Sequence, residues 1–143
     1  MVSDHLNIGI IGAGKISELH AAGYLKHPKA RIIAVADNRE GVAAERATEW
    51  GAEKSFTDYR DLLDLPEVDA VDIITPHNRH RQMAIDSLEA GKHVSVQKPM
   101  ALSETECDEM IAAEHQAKGS MRVFENFRYS PPLARAKELL ADG

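Results

Sequence analysis

Short apolar runs alternate with segments of helical hydrophobic spacing along the chain, and this alternation predicts the architecture. The apolar runs are rich in Ile and Val, as strands buried on both faces of a sheet are. They predict strands at 6–11, 31–36, around Phe56, and at 70–74, 93–96 and 121–124. The other segments predict helices at 15–27, 40–50, 59–64, 79–89, 103–118 and 133–140. Such an order is typical of a parallel sheet covered by helices.

Residues that start or end helices stand at several of these boundaries. Pro28 ends the first helix, and Gly91 follows the fourth, where glycine commonly closes a helix. The run Ser103-Glu104-Thr105-Glu106 reads as a capping box that opens the fifth helix. Because crossovers between parallel strands are right-handed, the natural topology is the strand order 3-2-1-4-5-6. The predicted fold class is α/β with a doubly wound parallel sheet.

The junction between the first strand and the first helix is the glycine turn Gly12-Ala13-Gly14-Lys15-Ile16. In a dinucleotide-binding turn the first glycine makes the tight bend. The second lets the backbone approach a pyrophosphate that sits on the helix N-terminus. The third fingerprint position favours Gly or Ala and is Ser17 here, which is small enough for the helix to lie near the sheet. A plain flexible turn is the alternative reading of the glycines alone.

The second predicted strand leads into Asp37, which lies 23 residues after Gly14. A carboxylate at this spacing accepts hydrogen bonds from the ribose hydroxyls of a dinucleotide. Strand, turn, helix, strand and acid therefore agree on a Rossmann fold, with Asn38 and Arg39 beside the ribose. NAD is the predicted cofactor, because a carboxylate repels the 2′-phosphate of NADP. Arg39 would bind that phosphate if Asp37 turned away, so NADP stays open.

Composition narrows the function classes without adding chemistry. The 143 residues suffice for one domain with a buried core, and 43% hydrophobic with 28% charged residues is ordinary for a globular protein. A net charge of −6 argues against nucleic acid or an anionic membrane as a partner. Residues 1–5 carry no targeting pattern and no apolar run reaches membrane-spanning length, so we expect a cytoplasmic protein. The one cysteine, Cys107, excludes an internal disulfide and is expected to be a buried small hydrophobe rather than a reactive thiol.

Three loops follow the carboxyl ends of predicted strands and should meet at one edge of the sheet, where ligands bind in such folds. They are Thr75-Pro76-His77-Asn78-Arg79-His80, Gln97-Lys98-Pro99 and Asn126-Phe127-Arg128-Tyr129-Ser130-Pro131. From the residues alone, Thr75 and Pro76 either shape a ligand loop or simply end a strand, and His80 either contacts a ligand or packs at a helix start. His77 and His80 do not predict a metal site, because no carboxylate or cysteine completes a ligand set.

These loops carry motifs that closely resemble those of one enzyme family. The motifs are Thr75-Pro76-x-x-x-His80, Ala90-Gly91-Lys92-His93-Val94, Lys98-Pro99-Met100-Ala101-Leu102-Ser103 and Asn126-x-Arg128-Tyr129-Ser130-Pro131. In this order they resemble the glucose–fructose oxidoreductase, inositol dehydrogenase and MocA-like family. The resemblance covers essentially the whole chain.

The resemblance implies a catalytic role for Lys98, since the lysine of the family's Glu-Lys-Pro motif sits at the nicotinamide and the substrate hydroxyl. Its ammonium would stabilise negative charge on the reacting oxygen, and a cationic nicotinamide nearby would lower the lysine pKa and favour proton transfer. The bond before Pro99 is often cis in relatives. In place of the family's glutamate stands Gln97, which removes a charge beside Lys98. The resemblance also implies cofactor contacts for loop residues, namely Thr75, Pro76, His80, Gln97, Asn126 and Arg128.

The resemblance further implies a second α/β domain, which in relatives holds the substrate pocket. We therefore expect residues 1–130 to form the dinucleotide-binding domain and residues 131–143 to be a helix that leads towards the absent substrate domain. The implied activity is NAD(P)-dependent oxidation or reduction of a small sugar, polyol or related hydroxy compound, in an enzyme that forms a homo-oligomer when the second domain is present. This chain alone should bind cofactor with little turnover. A non-catalytic dinucleotide sensor and an interaction module are the alternatives.

Overall fold

The computed structural model describes residues 5–141, apart from the side chain of Arg128. Six parallel strands form one sheet in the order 3-2-1-4-5-6, which confirms the predicted topology. The strands are β1 (Leu6–Ile11), β2 (Ala30–Ala36), β3 (Lys54–Phe56), β4 (Ala70–Ile73), β5 (His93–Gln97) and β6 (Met121–Phe124). The order reverses between β1 and β4, so the loops after these two strands open a crevice at the carboxyl edge of the sheet.

Helices connect and cover the strands. They are α1 (Ser17–Lys26), α2 (Val42–Trp50), α3 (Tyr59–Leu63), α4 (His80–Glu89), α5 (Glu104–Gln116) and α6 (Pro131–Ala141), with short 3₁₀ turns at His77–Arg79 and Asn126–Tyr129. Helix α1 begins two residues later than predicted, because the Ser17 amide closes a turn onto the Gly14 carbonyl at 3.1 Å. Helix α4 likewise begins at His80, since Arg79 belongs to the preceding 3₁₀ turn.

Apolar side chains cover both faces of the sheet, as the continuous apolar strands predict. One cluster gathers Leu62, Ile73, Leu88, Val96 and Met110 with their neighbours, and the other gathers residues of β1, β2, α1 and α2 around Trp50. Cys107 is only half-buried, so the expectation of a buried cysteine is wrong. Met110, one turn further along α5, is the fully buried side chain there.

The predicted capping box at the start of α5 is present with one change. Ser103 Oγ accepts a hydrogen bond from the Glu106 amide at 3.2 Å, as a capping serine does. The Glu106 carboxylate accepts from the Leu102 amide at 2.9 Å, one residue before the usual partner. Helix α5 is therefore fixed at the end that follows the Lys98 loop.

Helix α6 lies on the surface and packs mainly on the 3₁₀ turn before it. Its residues are exposed, including the large apolar side chains of Leu133 and Leu140. Within residues 5–141 none of the helices has the length and apolarity needed to cross a membrane.

Candidate functional site

Gly12 makes the bend at the end of β1, and only glycine fits there. Its φ is +96°, a conformation that other residues rarely adopt, and a Cβ at this position would lie 2.7 Å from the Ile74 carbonyl oxygen. The Gly12 amide donates to the Ala36 carbonyl at 2.8 Å, which ties the bend to β2. The turn is therefore packed against the ends of two neighbouring strands, and the flexible-turn alternative does not describe it.

Gly14 faces open space, in contrast to Gly12. A Cβ built on Gly14 would meet no atom of the described residues within 4 Å. Helix α1 begins just beyond it without a side-chain cap, while the side chains of Asp58 and Ser103 cap α3 and α5. An uncapped helix start next to an open glycine suits an anion, because backbone amides and the helix dipole favour negative charge there.

Ser17 occupies the third fingerprint position and is fully buried. Its hydroxyl donates to the Gly14 carbonyl, and this bond ties the first residue of α1 to the glycine turn. This confirms that a small residue packs the helix near the sheet. Lys15 and Ile16 lie between these two residues with exposed side chains.

Asp37, just after β2, connects the glycine turn to Arg39. Its carboxylate accepts from the Ala13 amide at 2.8 Å and from the Arg39 guanidinium through Nε at 2.9 Å and Nη2 at 2.8 Å. Burial alone would raise the pKa of Asp37, but the hydrogen bonds from Arg39 and the Ala13 amide outweigh it and lower the pKa to about 2. The acid is therefore a carboxylate at any ordinary pH.

A ribose at Asp37 must share this carboxylate with Arg39. Asp37 is 8% exposed, while the Arg39 side chain is 58% exposed and free to leave towards solvent. The bond to Ala13 holds Asp37 in the turn, so the alternative in which Asp37 turns away requires breaking that bond. Asn38 is exposed between these two residues.

The buried side chain of His80 lies between two loops and contacts the backbone of both. It is fully buried at the start of α4, with Nε2 at 2.9 Å from the Thr75 carbonyl oxygen and Nδ1 at 2.9 Å from the Pro99 carbonyl oxygen. Both ring nitrogens face the backbone, so the side chain favours the packing alternative over a direct cofactor contact. The ring joins the Thr75 and Pro99 loops, and the cofactor contact that the resemblance implies for His80 stays a prediction. Pro76 is exposed next to Thr75.

Lys98 follows the carboxyl end of β5 and is exposed. The Lys98–Pro99 peptide bond is cis, as the resemblance implies. The Lys98 amide donates to Gln97 Oε1 at 2.7 Å, and the Gln97 Nε2 atom lies 2.9 Å from His20 Nε2. Gln97 thus turns towards the protein interior while the Lys98 loop stays at the surface.

Sequence reasoning missed the buried polar group behind Gln97. Asp72, in the centre of β4, is fully buried, and its Oδ2 lies 2.8 Å from His20 Nδ1 and 3.0 Å from the Tyr24 hydroxyl. Burial above all, and then the charge of Asp72 and its hydrogen bond, raise the pKa of Tyr24, so its hydroxyl remains a donor. The available signal was a single acid inside an apolar strand, together with His20 and Tyr24 four residues apart on α1.

The third loop follows β6, the strand next to β5. Asn126 begins its 3₁₀ turn and is exposed. Arg128 lies in the same turn, and its side chain is outside the described part of the structure. The ring of Phe124, at the end of β6, lies 4.4 Å from the ring of His20 between centroids. The three loops thus lie along one edge, as the parallel sheet predicts.

Comparison with known proteins decides the family. Residues 6–125 match the oxidoreductase family with an NAD-binding Rossmann fold, the Gfo/Idh/MocA family. The chain belongs to this family. The resemblance to this family is thereby confirmed, and the matched residues include the Thr75 and Lys98 motifs.

Similar Gfo/Idh/MocA proteins include dehydrogenases of sugars and polyols. The levoglucosan dehydrogenase of Pseudarthrobacter phenanthrenivorans is 34% identical across 97% of this chain and 38% of its own length. The myo-inositol 2-dehydrogenase of Thermotoga maritima is 32% identical across 96% of this chain and 41% of its own. The crystal structure of scyllo-inositol dehydrogenase from Lactobacillus casei, with bound NAD(H) and scyllo-inositol, matches 97% of this chain and 42% of that protein with a TM-score of 0.88 at 28% identity.

The chain spans about two fifths of the length of these relatives. It is an NAD-binding Rossmann domain of an oxidoreductase family whose members include dehydrogenases of sugars and polyols. The fold, the glycine turn and the acid after β2 agree with that assignment.

Proposed function

We propose that this chain is the cofactor-binding part of an enzyme that transfers hydride between NAD and a hydroxyl of a sugar, polyol or related small molecule. The observation that carries the proposal is the position of Lys98. This exposed cation follows β5 on the edge that holds the glycine turn, and His80 joins its loop to Thr75, beside Gly12. An ammonium at that edge suits an alcohol that gains negative character as hydride leaves.

Different residues at this edge of the sheet suit different parts of a dinucleotide. Open space over Gly14 and the uncapped start of α1 suit the pyrophosphate, with the backbone of Ala13, Lys15 and Ile16 around it. Asp37 suits the adenosine ribose, because its carboxylate stays charged and accepts hydrogen bonds. These features favour NAD over NADP.

Lys98 is the proposed catalytic residue. Bound nicotinamide supplies the hydride acceptor or donor. When the alcohol is oxidised, the neutral amine of Lys98 would take the hydroxyl proton, and the ammonium that forms would stabilise the negative charge on the oxygen. In reduction the Lys98 ammonium would give this proton back to the oxygen. Thr75, Pro76 and Gln97 shape the loops beneath, and we assign Asn126 and Arg128 to the nicotinamide ribose or the substrate by family resemblance.

Calorimetric titration with three ligands tests this assignment. The wild-type chain should bind NAD⁺, NADH and ADP-ribose, which shares every part of NAD except the nicotinamide. Lys98→Ala should raise the affinity for NAD⁺ relative to NADH, because a cation is removed near the charged ring, and should leave ADP-ribose unchanged. If the ratio of the NAD⁺ and NADH affinities is the same in wild type and Lys98→Ala, Lys98 does not lie near the nicotinamide, and the sensor alternative is favoured.

We also propose the domain boundary. Residues 1–130 form the dinucleotide-binding unit, and residues 131–143 lead towards a substrate-binding domain of the longer protein. The relatives' greater length and the exposed apolar side chains of Phe124, Phe127 and Leu133 support this. The longer protein should assemble as a homo-oligomer in a reducing cytoplasm. Sedimentation of this chain tests the interaction-module alternative, which requires association that depends on concentration and not on NAD.

A further inference from the structure

A row of hydrogen bonds runs from the interior of the sheet to the backbone of Lys98. It joins Asp72 to His20 at 2.8 Å, His20 to Gln97 at 2.9 Å, and Gln97 to the Lys98 amide at 2.7 Å. These three side chains come from β4, α1 and β5, and we call them the Asp72–His20–Gln97 network. Asp72 and His20 are buried, and Gln97 is half-buried beneath the exposed loop.

Chemistry gives each bond in the network one direction. The Lys98 amide is a donor, so Gln97 Oε1 accepts from it and Gln97 Nε2 faces the ring of His20. The NH₂ group of the Gln97 side chain can only donate, so His20 Nε2 must accept with a lone pair. His20 Nδ1 must then carry the proton, which it donates to the Asp72 carboxylate.

We propose that Asp72, His20 and Gln97 act as positioning residues for the Lys98 backbone, through a neutral His20 that is protonated on Nδ1 alone. The relevance of that position to hydride transfer rests on the function proposed above for Lys98. The hydrogen bonds themselves do not depend on it. The network also gives Gln97 a role that a glutamate would fill differently.

The network explains why an amide suits position 97 beside this histidine. A glutamate there would place a carboxylate oxygen against the lone pair of His20 Nε2. His20 would then have to carry a second proton, as an imidazolium between that carboxylate and the carboxylate of Asp72. With Gln97 the network closes with a single charge, on Asp72, in place of three, and the loop beside Lys98 carries no negative charge from this position.

The cost of the network argues that it is more than packing. Asp72 Oδ1 is buried and has no hydrogen-bond partner among the described residues. An unpartnered oxygen of a buried carboxylate is expensive, since burial of charge requires compensating donors. His20 and Tyr24 supply the donors to Oδ2, while Phe124 covers the histidine ring. Apolar residues would fill this space at lower cost.

Nuclear magnetic resonance of histidine-labelled protein tests the network directly, with or without cofactor. Long-range proton–nitrogen correlations distinguish the two neutral forms of a histidine ring. We expect His20 to be protonated on Nδ1, whereas exposed histidines such as His77 should favour protonation on Nε2. Protonation of His20 on Nε2 at neutral pH would overturn the proposal.

Hydrogen exchange of the Lys98 amide separates positioning from packing. His20→Asn keeps a donor for Asp72 but cannot reach Gln97, so exchange should be about fivefold faster, the equivalent of one hydrogen bond. Tyr24→Phe is the matched control, because it removes the other donor to Asp72 and leaves the route to Lys98 intact. Equal effects of the two variants, or none from His20→Asn, would overturn the proposal. If His20→Asn does not fold, the protonation state of the wild-type ring decides.

Gln97→Glu adds a readout that packing alone would not produce. In this variant the charged ring is that of His20. The groups that face it are Asp72 from β4, residue 97 from β5, Tyr24 from α1 and the Phe124 ring from β6. A hydrogen bond to a carboxylate at position 97 requires a proton on His20 Nε2, in addition to the one on Nδ1. The bond to position 97 is then lost as that proton leaves with rising pH, so the Lys98 amide of the variant should lose protection relative to wild type measured at the same pH. Equal Lys98 protection in the variant and wild type at every pH would contradict the network, whereas absent NAD binding by wild-type protein would contradict only the proposed function.

Discussion

The carboxylate of Asp37 accepts a hydrogen bond from the backbone amide of Ala13 at 2.8 Å. The residue after β2 therefore fixes the turn after β1, before any ligand is present. A single acid links the two places where the adenosine ribose and the pyrophosphate are expected. Binding and local stability should respond together when this acid is changed.

Replacing Asp37 tests that link. Asp37→Ala removes an acceptor for the ribose and a support for the Ala13 amide, so NAD affinity should fall at least tenfold, about 1.4 kcal/mol. The unfolding temperature should fall as well. Calorimetry and thermal unfolding measure the two effects. Unchanged NAD affinity in a folded variant would mean that the ribose lies elsewhere.

The low pKa of Asp37 predicts a specific acid sensitivity. The pKa is about 2 in the folded protein and 3.8 without these contacts, so folding favours the charged form. The resulting stability is complete above about pH 4 and is lost as pH falls towards 2, at most about 2 kcal/mol because Arg39 lies in solvent. The difference in unfolding free energy between wild type and Asp37→Asn should shrink over this range. A constant difference would place the supporting contacts elsewhere.

Gly12 should be required for folding itself. Gly12→Ala forces a positive φ and places a Cβ 2.7 Å from the Ile74 carbonyl oxygen, against backbone that cannot move aside. We expect a loss of about 2 kcal/mol or more, measured by denaturant unfolding. Wild-type stability of this variant would contradict the packing of the turn.

Arg39 should control the choice between NAD and NADP. Its guanidinium donates two hydrogen bonds to the Asp37 carboxylate. The Arg39 side chain is exposed, so it can rotate towards a 2′-phosphate. Arg39→Gln should keep or improve NAD affinity, since a competitor for the acid is lost. The affinity for NADP should fall about tenfold, as expected for the loss of a charge-assisted contact. Paired titrations with both cofactors test this, and an unchanged ratio would exclude Arg39 from phosphate recognition.

The local sequence pattern was enough to predict features formed by neighbouring strands and helices along the chain. The strand order, the glycine turn and Asp37 followed from apolar runs and their spacing, because a strand–helix–strand unit is contiguous in sequence. The connections behind the loops were not predictable in this way. His20 meets Asp72 across 52 residues and Gln97 across 77, so only the folded sheet brings them together.

His80 illustrates the same limit. Its spacing from Pro76 matched a family motif, but spacing alone did not separate a ligand contact from a packed side chain. In the structure both ring nitrogens face the carbonyl oxygens of Thr75 and Pro99, which favours the packed side chain. These contacts depend on Thr75 and on Pro99, and the latter lies 19 residues away in sequence.

Titration of NAD into wild-type protein and Gly14→Ala tests the central claim most directly. A Cβ at Gly14 meets nothing within the described structure, so the variant should unfold at nearly the wild-type temperature. The same Cβ would occupy the space in which the pyrophosphate approaches the backbone. We predict saturable NAD binding by wild type and at least tenfold weaker binding by the folded variant. Equal affinity in both proteins, or no binding by wild type, would contradict a pyrophosphate site at this turn.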